Sequence, residues 1–402
     1  MRSGSALLPI ALFATITLTA CTSSVEHPDG PPAAPPAFTQ PAPSASPPPI
    51  PSATGLPGHA FTLRLSDAHN GFALITDCAS GSYACTHQVA VLLNGADWKL
   101  RAAPRMPPET GGHSLAAAGP GVGRLSAVLP DGTELAWVTT DAAHSWQEVT
   151  ADLDQGTVEH IPPGATLTVA GDRVMVLMPD TGAYRELAAQ PPLEHLAPPE
   201  QLPDGTPWVQ GILPGTGSRR IALSRDEGRS WELLPAMPAA TDHDEDTEDT
   251  EEAQDGPVRR GIREARLVAG PGVLYVFECG SPAVDPLQGG LGSPLLHLYR
   301  STDEGETWRL MWASGAEGSP GSLVGEPFVT ADGRLIVYAE DAVYASDDGG
   351  LTFSVMREGP PPEVPSLTPA GYLLTDLDNP GHYRISADGF TWRTVILGSN
   401  QH

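Results

Sequence analysis

Five short segments of the sequence repeat one spacing of hydroxyl, carboxylate and aromatic side chains that could bind an ion or close a turn. Three of them read Ser-x-Asp-x-Gly-x-Ser/Thr-aromatic; another keeps all but the glycine, and the last is one residue shorter. The segments are Thr139–Trp146, Ser224–Trp231, Ser301–Trp308, Ser346–Phe353 and Ser386–Trp392. Their defining residues are Asp141, Trp146, Ser224, Asp226, Gly228, Trp231, Ser301, Asp303, Gly305, Trp308, Ser346, Asp348, Gly350, Phe353, Ser386, Asp388 and Trp392.

The chemistry of each copy is that of a tight β-hairpin turn. An aspartate carboxylate can accept backbone N–H groups within its own turn, and glycine permits the positive φ angle that such turns need. The aromatic residue begins the next strand and buries a large ring. Calcium binding is the alternative, but calcium takes about six to eight oxygen ligands, whereas each copy supplies one carboxylate. The pattern therefore predicts a structural turn, and we predict no metal ion and no cofactor.

The spacing of these turns predicts the fold that supports them. With degenerate copies of the turn before Trp98 and at Asp180–Tyr184, the sequence contains seven repeats of about 48 residues. Each repeat divides into four short β-runs separated by turn residues, and the 43 Gly and 43 Pro disfavour long helices. We predict an all-β fold: a seven-bladed β-propeller of four-stranded antiparallel blades over residues 58–398. Six or eight blades are the alternatives.

The N-terminus has the features of an export signal. Residues 1–20 contain Arg2 and then an apolar stretch that ends in small residues. The segment Leu18–Cys21 resembles a bacterial lipobox, which implies that Cys21 becomes the lipidated first residue; a secretory peptide with an incidental cysteine is the alternative. Residues 22–57 hold twelve prolines and cannot build a core. We therefore predict a disordered, lipid-anchored, Pro-rich linker over residues 21–57.

Export places the remaining cysteines where disulfides persist. Cys78 and Cys85 flank a short segment between two apolar runs, so we predict a disulfide that closes this hairpin. Cys279 is then left over, and we predict a buried thiol rather than a reactive one.

An acidic insertion at residues 241–257 separates the predicted fourth and fifth blades. Nine aspartates and glutamates fall within residues 241–255. Such a run repels itself and cannot be buried, so we predict a solvated loop, with binding of calcium or a cationic partner as the alternative.

The five turns resemble the Asp-box, or BNR, repeat of the sialidase-like propellers. In sialidases, three arginines bind the carboxylate of the sugar. A Tyr–Glu pair acts as the nucleophile, and an aspartate acts as the general acid/base. The nearest match to the first arginine motif is Phe61–Ser66, which lacks the expected proline. No nucleophile pair is recognisable, so we assign no catalytic residue and keep a sialidase-like glycoside hydrolase as the alternative function. The arginines on or beside predicted strands are Arg64, Arg173, Arg220, Arg266 and Arg334.

Residues 58–398 also resemble, repeat by repeat, exported propellers of the photosystem assembly factor and sortilin-like type. Those proteins bind other proteins and carry no catalytic centre. The resemblance implies a binding or scaffold module at the bacterial cell envelope, whose partner is a protein, a peptide or a glycan.

The charge balance excludes other classes of partner. The chain has 22 Lys and Arg against 49 Asp and Glu, a net charge of −27, which argues against nucleic acid and against charge-driven adsorption on anionic lipid. With the lipobox-like segment, we predict a protein at the outer face of the cytoplasmic membrane or on the cell surface, attached to the membrane only through the lipid on Cys21. We also predict that it is a monomer. The histidines, among them His69, His87, His144 and His297, are scattered along the sequence, so they indicate no metal site.

Overall fold

Strands make up the regular structure of the described residues in the computed structural model. The described residues form 29 β-strands in seven sheets, and they include no helix that is long and apolar enough to cross a membrane. The predicted signal peptide, Cys21 and the acidic insertion 241–257 lie outside the described residues. The described residues are 45–78, 85–107, 110–150, 153–238, 264–280, 292–315 and 318–398.

The first four sheets each contain four strands in one hydrogen-bonded path. Blade 1 contains β1 (His59–Asp67), β2 (Asn70–Cys78), β3 (Cys85–Leu92) and β4 (Lys99–Ala102). Blade 2 contains β5 (Gly111–Gly119), β6 (Val122–Val128), β7 (Glu134–Thr139) and β8 (Gln147–Glu148). Blade 3 contains β9 (Thr157–Val158), β10 (Thr166–Ala170), β11 (Arg173–Leu177) and β12 (Tyr184–Leu187). Blade 4 contains β13 (Glu200–Gln201), β14 (Pro207–Ile212), β15 (Arg219–Leu223) and β16 (Glu232–Leu233).

The last three sheets follow the same plan, with one added strand. Blade 5 contains β17 (Glu264–Gly270), β18 (Val273–Cys279), β19 (Ser293–Ser301) and β20 (Arg309–Ala313), and β21 (Ser322–Leu323) pairs with β19. Blade 6 contains β22 (Phe328–Val329), β23 (Leu335–Tyr338), β24 (Ala342–Ser346) and β25 (Ser354–Glu358). Blade 7 contains β26 (Glu363–Thr368), β27 (Gly371–Asp376), β28 (His382–Ser386) and β29 (Arg393–Ile396).

Burial along the strands shows how the blades pack. The second strand of blade 5, β18, is buried at every residue, because it has a strand on each side and a neighbouring blade on each face. The outer strand of blade 6, β25, is exposed at every residue. Tyr275 and Phe277 of blade 5 share one buried cluster with Leu335 of blade 6. The hydrophobic core therefore lies between adjacent sheets, and the first strands, such as β1 beside β5 and β26, surround a central channel.

The predicted all-β fold of seven four-stranded blades is confirmed. Blade 3 departs from the expected strand order, because its outermost strand, β9, comes first in the sequence and pairs with β12 in parallel. The degenerate turn at Asp180–Tyr184 joins β11 and β12, which are the second and third strands of this blade when counted outward from the channel, rather than the third and fourth. After β12 the chain passes directly to blade 4, where Glu194 pairs with Ile212.

The two ends of the described chain meet where blade 7 adjoins blade 1. Ala53 pairs with Leu397 in parallel, and His59 pairs with Gly398 in the antiparallel sense. Strands of blades 1 and 7 are thus joined by the N-terminal segment and by the residues that follow β29.

Part of the predicted linker belongs to this junction. Ile50 is fully buried and Leu56 is buried beside it, in a cluster formed by blades 1 and 7. The indole N–H of Trp98 donates to the backbone carbonyl of Pro51 at 2.8 Å. The predicted disordered linker spans residues 21–57, whereas the last part of this segment packs on the propeller because the side chains of Ile50 and Leu56 complete its core.

Candidate functional site

The repeated aspartates hold the turns that precede the outer strands. In the turn before β20, the Asp303 carboxylate accepts from the Ser301 hydroxyl at 2.7 Å and from the Thr307 N–H at 2.9 Å. Its second oxygen accepts from the Thr307 hydroxyl at 2.6 Å. The Ser301 hydroxyl oxygen in turn accepts from the Gly305 N–H at 2.8 Å. These hydrogen bonds connect both ends of the turn to one carboxylate and so stabilise the turn.

These hydrogen bonds favour the ionised form of the carboxylates. The hydroxyl and N–H of Thr307 lower the pKa of Asp303 to about 2, and those of Ser145 lower the pKa of Asp141 to about 2. Asp226 and Asp348 make the same contacts within their turns. Within the described ranges no three His, Cys, Asp or Glu side chains are grouped as metal ligands.

The two irregular copies reach the same geometry by other means. In the copy without glycine, Ala143 adopts a φ of 60°, and its N–H donates to the Thr139 hydroxyl oxygen at 2.9 Å. In the shortened copy, one oxygen of the buried Asp388 carboxylate accepts from the Thr391 N–H at 2.8 Å. Its other oxygen accepts from the Ala45 N–H at 2.9 Å and so fastens the N-terminal segment.

The cysteines lie at one end of two different blades. Cys78 and Cys85 are directly opposite each other in the β2–β3 register and form the predicted disulfide. Cys279 ends β18 and is a free, fully buried thiol. Burial raises the pKa of Cys279 to about 12, which keeps the thiol protonated and a poor nucleophile.

The five candidate arginines are not brought together at the channel. Arg64 and Arg266 lie on the innermost strands β1 and β17, and the innermost strands carry no other arginine among the described residues. Arg173, Arg220 and Arg334 lie on β11, on β15 and in the turn before β23. The structure therefore does not assemble these arginines into the three-arginine site that binds the sugar carboxylate in sialidases.

The central channel contains a cavity of about 840 Å³. Its wall combines residues of the innermost strands β1, β10, β13, β17 and β26 with residues of the turns at their ends. Seven of the described lining residues are prolines, and Tyr372 is the single aromatic residue among them. Four lining residues carry a carboxylate, namely Glu200, Asp204, Glu227 and Glu326, and none of those described carries a cationic side chain.

Beside this cavity, one arginine is shared by three glutamates from three blades. The Arg266 Nη1 is 2.5 Å from an oxygen of Glu200 in blade 4, and its Nη2 is 2.5 Å from an oxygen of Glu264. Its Nε is 3.5 Å from an oxygen of Glu326, which immediately precedes blade 6. All four side chains are partly buried, with exposed fractions of 26% to 36%. We call these four residues the Arg266 cluster.

The charges of the Arg266 cluster do not balance. Burial and the neighbouring Glu326 carboxylate raise the pKa of Glu200 to about 8, although Arg266 opposes the shift. Burial also raises the pKa of Glu326. Burial alone would lower the pKa of Arg266, but the three carboxylates outweigh it and raise that pKa. Near neutral pH these shifts favour one bound proton within the cluster.

Sequence reasoning singled out Arg266 for another role and missed the three glutamates. Glu200 and Arg266 are 66 positions apart and meet only when blades 4 and 5 lie side by side. The signal that could have found them is a charged residue on an innermost strand, where side chains face the channel rather than open solvent.

Comparisons with known proteins give solved structures only. No protein family model and no curated protein matches the chain. A GH74 xyloglucanase from Xanthomonas campestris is 14% identical with a TM-score of 0.25, and the match covers 87% of this chain and 50% of that one. A Hadza microbial sialidase is 12% identical with a TM-score of 0.32, covering 85% of this chain and 65% of that one. The β-propeller domain of the trilobed protease from Pyrococcus furiosus is 10% identical with a TM-score of 0.36, covering 84% and 98%. This chain thus spans half the length of the xyloglucanase and 65% of the sialidase, and such likenesses assign no function.

Proposed function

We propose that this protein is an exported, lipid-anchored binding module that takes a protein, peptide or glycan partner into its central channel at the bacterial cell envelope. The observation that carries the proposal is the cavity of about 840 Å³ between the innermost strands. A cavity of this size, mostly apolar with a few polar groups in fixed positions, is typical of ligand sites in proteins.

Binding fits the wall of this cavity better than sialidase-like hydrolysis does. A sialidase-like reaction needs arginines that converge on a sugar carboxylate, and the cavity wall holds no arginine among its described residues. The nearest one, Arg266, already contacts three carboxylates. An incoming carboxylate would meet four acidic side chains there and would be repelled.

A pull-down from the native envelope with a cavity-filled variant tests the proposal. Thr166 is an exposed residue of the cavity wall on β10, so Thr166→Trp should fill space without disturbing the core. Thr157 is an exposed residue on the outermost strand of the same blade, and Thr157→Trp is the matched control. We expect crosslinked partner to be lost with Thr166→Trp and kept with Thr157→Trp. Equal capture by both variants would place the binding surface elsewhere.

The anchoring part of the proposal rests on the lipobox-like segment that ends at Cys21. Cys21→Ser should leave an unprocessed precursor or release the protein from the membrane fraction, because several acyl chains are needed for stable attachment. Unchanged processing and unchanged membrane fractionation of Cys21→Ser would refute lipid anchoring while leaving the channel proposal intact.

A further inference from the structure

The wall of the channel cavity is suited to a positively charged ligand. Its described residues include four carboxylates and no cationic side chain. Asp204 and Glu227 stand at its turns, where Asp204 accepts from the Thr206 N–H and Glu227 pairs with Arg229. Glu200 and Glu326 contribute the remaining two carboxylates and have only Arg266 as a cationic partner in the described structure. These two partly buried glutamates therefore share a single cation, which Glu264 contacts as well.

The geometry of the Arg266 cluster leaves acceptor capacity at that point. Each of the three guanidinium nitrogens contacts one oxygen of a different glutamate, instead of two nitrogens serving one carboxylate. Glu200 and Glu326 therefore each keep a carboxylate oxygen for which the described residues supply no donor. An ionised carboxylate oxygen only accepts hydrogen bonds, so once the proton of the cluster has left, the group that completes this oxygen must be a donor, and a charged donor binds best.

The rest of the wall favours a peptide as the carrier of that donor. Seven prolines give an apolar surface that lacks backbone N–H donors. Tyr372 alone offers an aromatic face for stacking on a sugar ring. An apolar wall beside acceptor carboxylates complements a peptide segment that carries a basic side chain, because the alkyl stem packs on apolar surface while the charged end pairs.

We propose that the channel cavity binds a peptide segment of the partner through a lysine or arginine side chain, which inserts between Glu200 and Glu326. This proposal rests on the channel being the binding site, as proposed above. The ligand cation replaces the proton that the cluster holds near neutral pH, so binding releases a proton to the solvent.

Matched peptides test the charge requirement directly. The probes are acetyl-Ala-Arg-Ala-amide, its lysine analogue and its citrulline analogue, which keeps the shape of arginine but has no charge. Titration calorimetry with the full chain at 0.15 M and 0.5 M salt separates local pairing from the long-range attraction of a protein with a net charge of −27. We expect the arginine and lysine peptides to bind at both salt concentrations and the citrulline peptide to bind at least about 10-fold more weakly. Equal binding of the arginine and citrulline peptides would overturn the proposal.

Variants of the glutamates locate the contact. Glu200→Gln and Glu326→Gln should each weaken binding of the arginine peptide by about 10-fold or more. Glu186→Gln removes the same charge from a glutamate that pairs with Arg173 on the outer part of blade 3, and it should leave binding unchanged. Titrations at pH 7 in buffers of different ionisation enthalpy should show proton release with wild type and none with Glu200→Gln. Full binding by both glutamine variants, or no proton release with wild type, would refute the assignment.

The two proposals fail in different ways. If Thr166→Trp abolishes capture of the native partner while all three peptides bind wild type equally or not at all, the channel site stands and the cationic ligand is wrong. If Thr166→Trp captures partner as well as Thr157→Trp does, the channel site itself is wrong. A glycan, rather than a peptide, recovered from wild type in a capture that Thr166→Trp abolishes would overturn the peptide assignment alone.

Discussion

Replacing Ile50 by alanine tests whether the proline-rich segment before the first blade is part of the folded propeller. Ile50 is fully buried in a cluster with Leu56, Trp98 and Leu397, which belong to the N-terminal segment and to the two ends of the ring. Its backbone N–H also donates to the Pro48 carbonyl at 2.8 Å, which fixes the chain where the side chain enters the core.

The expected cost follows from the buried volume. Ile50→Ala removes about three methyl or methylene groups, worth about 0.8 kcal/mol each in transfer free energy, and leaves a cavity that adds to the loss. We expect the free energy of unfolding to fall by about 3 kcal/mol. The loss cannot exceed the free energy with which the N-terminal segment docks on the blades. A larger loss would detach the segment while the blades stay folded.

Urea unfolding monitored by tryptophan fluorescence measures this difference, and Trp98 is a local reporter because its indole N–H bonds the Pro51 carbonyl. Thr54→Ala is the matched control, because Thr54 is exposed in the same segment and its replacement should change stability by less than about 0.5 kcal/mol. Equal midpoints for Ile50→Ala and Thr54→Ala would show that residues 45–57 do not close the ring and would refute the reasoning.

Three other outcomes follow from the cysteines and from the channel. Replacing both Cys78 and Cys85 by serine should lower the free energy of unfolding by about 2–3 kcal/mol, because the disulfide closes a short loop; chemical denaturation of the oxidised wild type is the comparison. Cys279 should resist iodoacetamide in the native protein and react after denaturation, as peptide mapping would show, because it is fully buried with a pKa near 12. Because the folded pKa of Glu200 is raised to about 8, the folded state binds the extra proton, so stability should fall as pH rises from about 5 to 8. Glu200→Gln should flatten this part of a pH series of melting temperatures, and an unchanged slope would contradict the raised pKa.

The fold could be predicted because its repeated unit is encoded locally. Every hydrogen bond of the turn around Asp303 joins residues at most four positions apart, so the sequence pattern and the geometry are two descriptions of one short segment. The spacing of such turns then fixes the number of blades. The Cys78–Cys85 disulfide was readable for the same reason, because the two residues face each other across one hairpin.

The ring closure could not be predicted from composition. Twelve prolines between residues 22 and 57 indicate disorder, and nothing in that segment shows that Ile50 has a partner. Its burial depends on Trp98 and Leu397, which are distant in sequence and come together only when the first and last blades meet.

The Arg266 cluster could not be predicted from the sequence for a related reason. The carboxylates of the Arg266 cluster, Glu200, Glu264 and Glu326, come from β13, from β17 and from the segment before β22, and none of them lies in one of the repeated turns. Arg266 was noted as a strand arginine, but its three glutamate partners depend on the order of the blades around the channel.

The carboxylates of the turns and those of the channel differ in pKa because they occupy different positions in the ring. At the turns, donors within the same eight residues hold the pKa of Asp303 at about 2, so its charge is satisfied and stabilises the fold. At the channel, burial and the neighbouring Glu326 carboxylate raise the pKa of Glu200 to about 8, so its ionised form costs free energy. A fold secured by locally satisfied turns can tolerate that cost at its centre. The ligand cation proposed above would offset this cost, because Arg266, the cation beside Glu200, is shared with Glu264 and Glu326.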